Sequence, residues 1–170
     1  MVILGIDPGY AIVGWGVIDY ENNHFRVLEY GAITTPAGMP FEQRLERIYD
    51  EATLLLKRHS PQAMAIEKLF YNTNAKTVID VGQARGVLVL AAQKCGLEVH
   101  EYTPLQVKQS VVGYGRAEKK QVQEMTRLIL HLPEIPKPDD TADALAMAIC
   151  HAHASGSLMG KLRERGLRLR

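Results

Sequence analysis

Four carboxylates in this chain stand where a carboxylate is costly to bury. Asp7 ends the apolar run VILGID, directly before Pro8–Gly9, and Glu67 lies inside a second apolar run, AMAIEKL (63–69). Asp140 and Asp143, spaced i and i+3 near the start of an Ala- and Leu-rich stretch, share one face of a helix. Buried carboxylates need partners, and no basic residue adjoins the first run to supply one. If the two runs are neighbouring strands, about 4.8 Å apart, Asp7 and Glu67 converge on one point. Four carboxylates from three elements have the hard oxygen donors to hold two Mg²⁺ ions roughly 4 Å apart, the arrangement of two-metal phosphodiester hydrolysis. Taken singly, two of these acids have plainer readings. Asp7 fits an Asx-type turn before Pro8–Gly9, and Asp140 fits a helix cap with Asp143 favourable in the first turn. Glu67 has no such local role, because an acid within a central apolar strand serves no backbone need.

Other chemistries fail on spacing. His151 and His153, two positions apart on a helix, cannot face one metal. Ser110 and Ser155 have no visible His and acid constellation. Gly14-Trp15-Gly16 lacks the third glycine and the following helix of a dinucleotide fingerprint. Cys95 and Cys150 are too few and too far apart for a metal site or a disulfide framework, and read as small buried apolar residues.

The elements that must position the acids follow from periodicity. VILGID, GWGVIDY and FRVLEYGAITT read as three strands of an antiparallel meander, the last two joined at Glu21-Asn22-Asn23. Phe41, Leu45, Ile48, Ala52 and Leu55 fall at helical spacing after Pro40. AMAIEKL is a fourth strand. A helix over 75–94 stops at Gly96, with Gly82 and Gly86 on one face, suited to tight packing on the sheet or, more sharply, to a dimer contact. EVHEYTP is a fifth strand, followed by helical stretches through Val112, over 117–132 and from Asp139. Strands four and five with the helix between them form a crossover unit. The fold class is therefore α/β, a mixed five-stranded sheet flanked by helices.

Composition supports one such domain and excludes several classes. At 170 residues, 46% hydrophobic and 23% charged, the chain is globular and long enough for one core. No window approaches the ~20 apolar residues of a membrane span, and the start shows no export signal, so the expectation is a cytoplasmic protein without a membrane partner. The net charge of +1 hides an uneven distribution: KLRERGLRLR carries five basic residues and one Glu. Residues 1–160 read as one domain and 161–170 as a basic C-terminal tail, a solvated terminus compatible with a nucleic-acid partner.

The segments GIDPG (5–9), GWGVI (14–18), AIEKLF (65–70), VGQARGV (81–87), VKQSVVGYGRAEKKQV (107–122) and DDTADALAMAICH (139–151) together resemble the RuvC family of Holliday junction resolvases, nearly end to end. The resemblance implies an RNase H-like nuclease domain over residues 1–160. It also implies a Mg²⁺-dependent endonuclease, with two ions per subunit and Mn²⁺ as a substitute, acting on four-way junction DNA in homologous recombination and repair. Asp7, Glu67, Asp140 and Asp143 match that family's metal-binding carboxylates. Lys108 and Lys119 match basic residues near the scissile phosphate, and Phe70 an aromatic that contacts bases at the crossover. Paired symmetric nicks with 5′-phosphate and 3′-hydroxyl ends, a homodimer and cooperation with the RuvA–RuvB branch-migration complex are implied likewise. Two positions depart from the pattern. Lys68 follows Glu67 where an uncharged amide is expected, and the Asp139–Asp140 doublet leaves the third ligand open by one residue, Asp140 being preferred for its i, i+3 spacing to Asp143. Two other classes compete. An actin- or sugar-kinase-type ATPase shares the strand–Asp–Gly start but needs a second, related domain; a non-catalytic junction-binding module would use the acids structurally.

Overall fold

A computed structural model gives the architecture and describes residues 1–69 and 75–156. Three strands, β1 (Val2–Asp7), β2 (Ile12–Glu21) and β3 (His24–Thr34), form the antiparallel meander. Asn22 and Asn23 both take positive φ, 51° and 65°, the backbone of a tight hairpin turn whose twist matches the strands it joins. Helix α1 (Phe41–His59) leads to β4 (Ala63–Glu67), α2 (Ala75–Lys94) and β5 (Glu98–Tyr102). The chain closes with α3 (Pro104–Val112), α4 (Lys119–Ile129) and α5 (Asp139–Gly156). The sheet order is β3-β2-β1-β4-β5, with β4 parallel to both β1 and β5.

Both faces of the central strands are covered, which is why β1 and β4 read as continuous apolar runs rather than alternating ones. Leu4, Ile6, Met64 and Ile66 pack under α1 and α2 with Ile48 and Leu88. Ile3, Ala65, Leu145, Ile149, Val107 and Val122 form a second core under α3, α4 and α5. Helix α5 is the centre of that layer, and small residues let it sit close. A Cβ on Gly5 would collide with the Ala144 carbonyl, one on Gly14 with the Asp140 carbonyl, and one on Gly16 with the Leu145 side chain. Thr141 Oγ1 donates to the Gly31 carbonyl at 3.1 Å and pins the start of α5 across the sheet.

Several sequence expectations need correction. Cys150 is buried as expected, but Cys95 is exposed, because it follows α2 where the chain turns toward Gly96. Gly82 and Gly86 do not pack on the sheet: α2 presents Ala84, Leu88, Ala91 and Ala92 inward, and among the described residues a Cβ at Gly86 would meet nothing within 4 Å and one at Gly82 would meet Leu69 Cδ1 at 3.7 Å. The fourth strand ends at Glu67, and the helix expected over 117–132 covers only Lys119–Ile129, with a capping box between Glu118 and Gln121. Phe70 and the basic stretch 161–170 lie outside the described residues.

Candidate active site

Strand alternation and register bring the first two acids together. Gly5 and Ala65 face α5, so Asp7 and Glu67, two residues on, turn toward the same side. Ile6 pairs with Ile66 across the parallel β1–β4 ladder, which leaves Asp7 and Glu67 level on adjacent strands. Asp143, one turn into α5, is brought over them by the close approach of that helix to the glycines of β1 and β2. Lys119 arrives from the first turn of α4 and Lys108 from α3, whose start is fixed by a capping box between Thr103 and Gln106. These five side chains line one cavity of about 210 Å³, with Val107, Val122 and Met147 as apolar walls.

The electrostatics of the cavity are those of carboxylates short of positive charge. Burial, then the charges of Asp143, Glu67 and Asp140, push the Asp7 carboxyl up to about 8, and Lys119 only partly offsets them. Glu67 is raised by burial and by Asp143. Asp143 is raised by burial although Lys119 Nζ donates to its Oδ2 at 2.8 Å, and that contact raises Lys119 in turn. The donors are hard oxygens, so the residues present fit a hard divalent cation, which would relieve this repulsion. Among the described residues no three Asp, Glu, His or Cys side chains close tightly on a single point; Asp7, Glu67 and Asp143 share the cavity with Lys119.

The remaining sequence candidates fall into place around this cluster. Asp140 is half-buried at the rim, outside the cavity lining, yet its charge reaches both Asp7 and Asp143. Its neighbour Asp139 is engaged by Lys137 at 2.6 Å, which holds its carboxyl below the usual range, and stands 3.9 Å from Lys119. Lys68 is exposed and follows the last residue of β4, so its charge is not among the cavity walls.

Three arrangements were not visible in the sequence. Ser110 Oγ lies 3.0 Å from His153 Nδ1, a Ser–His pair brought together by α3 and α5; His153 also meets the Ser110 carbonyl and the Phe25 ring, and no acid among the described residues completes the pair. His151 is a buried core histidine 2.7 Å from the Tyr102 hydroxyl, kept neutral because burial pushes it down to about 4. Arg85 reaches from α2 to the backbone of Glu67. Its only sequence signal was an arginine among the apolar residues of VGQARGV.

A mixed β3-β2-β1-β4-β5 sheet with acids at the ends of β1 and β4 and on the facing helix is an RNase H-like nuclease architecture. Residues 3–151 match the family described as crossover junction endodeoxyribonuclease RuvC, and the chain belongs to that family. A crossover junction endodeoxyribonuclease of Ruminiclostridium cellulolyticum is 60% identical over 165 residues, covering 96% of this chain and 99% of its own. The structure of Thermus thermophilus RuvC in complex with Holliday junction substrate has a TM-score of 0.85 at 38% identity, covering 89% of this chain and 93% of that one. The yeast mitochondrial Holliday junction resolvase shares the fold, with a TM-score of 0.67 at 14% identity over 97% of this chain and 86% of its own.

Proposed function

We propose that this nuclease is a Mg²⁺-dependent, structure-selective endonuclease that resolves four-way DNA junctions by paired nicks. The observation that carries the reading is the cavity in which Asp7, Glu67 and Asp143, from three elements, meet Lys108 and Lys119. Asp7, Glu67 and Asp143, with Asp140 at the rim, would hold the metal, which supplies an activated water and Lewis-acid stabilisation of the leaving 3′ oxygen when bound. Lys119, anchored on Asp143, and Lys108 across the cavity present positive charge where the phosphate gains negative charge in the transition state. Val107, Val122 and Met147 limit water beside those charges and so strengthen them. Mn²⁺ meets the same donor requirements as Mg²⁺.

One chain offers one such cavity, and two cuts need two. A homodimer supplies them with the two-fold symmetry of the junction. The outward face of α2 supports this: Ile79 is 64% and Leu90 53% exposed, with the open Gly82 and Gly86 along the same helix. Family membership supports cooperation with RuvA–RuvB and a place in recombination and repair. Among the described residues no helix is long and apolar enough to cross a membrane.

The test is nicking of a synthetic four-way junction, with linear duplex and EDTA as controls and ligation of the products. Junction-selective, EDTA-sensitive cuts that a ligase reseals are expected. Equal cutting of the linear duplex, metal-independent cutting or unligatable ends would each refute the corresponding part.

A further inference from the structure

Arg85 belongs to α2, does not line the cavity, and has a side chain only 16% exposed. Its guanidinium makes two contacts at once. Nε donates to the backbone carbonyl of Glu67 at 3.1 Å, and Nη2 donates to Oε1 of Glu101 on β5. Glu67 is the last residue of β4 and pairs with Tyr102, the last residue of β5. The peptide that follows Glu67 is held from two directions: its N–H, from Lys68, donates to the Tyr102 carbonyl of β5 at 2.9 Å, and its carbonyl accepts from the Arg85 side chain of α2.

We propose that Arg85 is a positioning residue for the Glu67 carboxylate, fixing the end of β4 to α2 and β5. The Glu67 carbonyl and carboxylate hang from one Cα, so a shift of that peptide swings the acid within the cavity. Site groups must hold position to about 0.5 Å, and a single ladder bond through the Lys68 N–H leaves this peptide room to pivot unless its carbonyl is held as well. A planar guanidinium bonds the carbonyl and Glu101 together in one fixed fork, whereas a lysine ammonium is a single point on a flexible stem. The proposal rests on the reading of Glu67 as a metal ligand.

The experiment uses the full chain with Arg85→Gln, Arg85→Lys and Glu67→Gln. It measures Mn²⁺ binding to protein alone by calorimetry, single-turnover nicking at saturating protein, junction affinity in Ca²⁺, and melting temperature. Arg85→Gln is expected to weaken Mn²⁺ binding about tenfold and slow nicking about tenfold to a hundredfold, with junction affinity unchanged. Arg85→Lys should fall between it and wild type. Wild-type Mn²⁺ affinity in a folded Arg85→Gln protein, even one with a lower melting temperature, overturns the proposal, because a merely structural role moves stability alone. If Arg85→Gln does not fold, Arg85→Lys is judged by the same criterion. Wild-type Mn²⁺ binding and nicking by Glu67→Gln would bring down the ligand reading itself, and the proposal with it.

Discussion

At the scale of single residues, Asp7 has the most strongly raised carboxyl of the cavity, because burial and the neighbouring acids disfavour its charged form. Its folded value of about 8 lies above the ordinary 3.8, so the folded state holds a proton that the unfolded state has released. The associated stability is fully present below about pH 4 and is lost as pH rises toward 8. Asp7→Asn should therefore stabilise the metal-free protein at pH 8 in EDTA, by on the order of 1 kcal/mol or about 2–4 °C in melting temperature, with the difference gone by pH 4. The same substitution, like Glu67→Gln and Asp143→Asn, should abolish cleavage while sparing junction binding, since it removes a proposed metal donor and no proposed phosphate contact. Denaturation curves in EDTA and nicking in Mg²⁺ check the two halves, and a variant less stable than wild type at pH 8 would contradict the repulsion argument. Lys119 is the cation placed against this cluster, 2.8 Å from Asp143, while Lys120 beside it on α4 is exposed and lines no part of the cavity. Lys119→Ala should slow single-turnover nicking about a hundredfold with little loss of affinity, because affinity is spread over many phosphate contacts. Lys120→Ala should leave the rate near wild type. Equal losses at both positions would reduce the stretch to a basic patch.

Among the elements, α5 decides whether Asp143 reaches the strands, and the glycines of β1 and β2 decide how close α5 can come. A Cβ at Gly5 would overlap the Ala144 carbonyl, one turn of backbone that cannot rotate aside. Gly5→Ala should cost about 2–4 kcal/mol in chemical denaturation, in the range of overpacked cores, and lower activity through displacement of Asp143. Gly38→Ala, where a Cβ meets nothing within 4 Å, is the control and should match wild type in both measurements. These glycines also show how far the sequence was legible. GIDPG and GWGVI marked the strands, and strands spaced about 4.8 Å apart already implied that Asp7, ending one run, could meet Glu67 inside the other if the two were neighbours. What no local pattern carried was the depth of the α5 contact, because a glycine permitting helix approach looks like one permitting a turn. Gly82 and Gly86 illustrate the converse: their spacing suggested packing on the sheet, yet α2 turns its alanines inward and leaves them outside. Arg85 escaped for the same reason, since its partner is a backbone carbonyl 18 residues away, an atom every residue has. The acids themselves were legible because burial makes a carboxylate conspicuous by type alone.

For the whole molecule, the proposed paired nicking calls for two cavities, and the described residues of one chain form one that gathers these acids. Apolar faces of β1 and β4 are covered on both sides, so the fold of a single chain is complete without a partner. Among the exposed apolar side chains of the described residues, Ile79 and Leu90 stand together on the outer face of α2. Leu90 is already more than half exposed, so replacing it with Glu should change the stability of the single chain by less than about 0.5 kcal/mol. In a two-fold contact, however, each substitution appears twice, and two carboxylates would face an apolar partner surface. If the wild type sediments as the proposed dimer, Leu90→Glu is expected to sediment as a monomer at the same concentrations, while keeping its melting curve. On a supercoiled plasmid extruding a cruciform, the proposed wild-type dimer should make both cuts within one binding event and release linear DNA. The monomeric variant should release nicked circles first, because its two cuts come from separate encounters. Linear product appearing without a nicked intermediate from a protein that sediments as a monomer would show that paired cutting does not depend on this face.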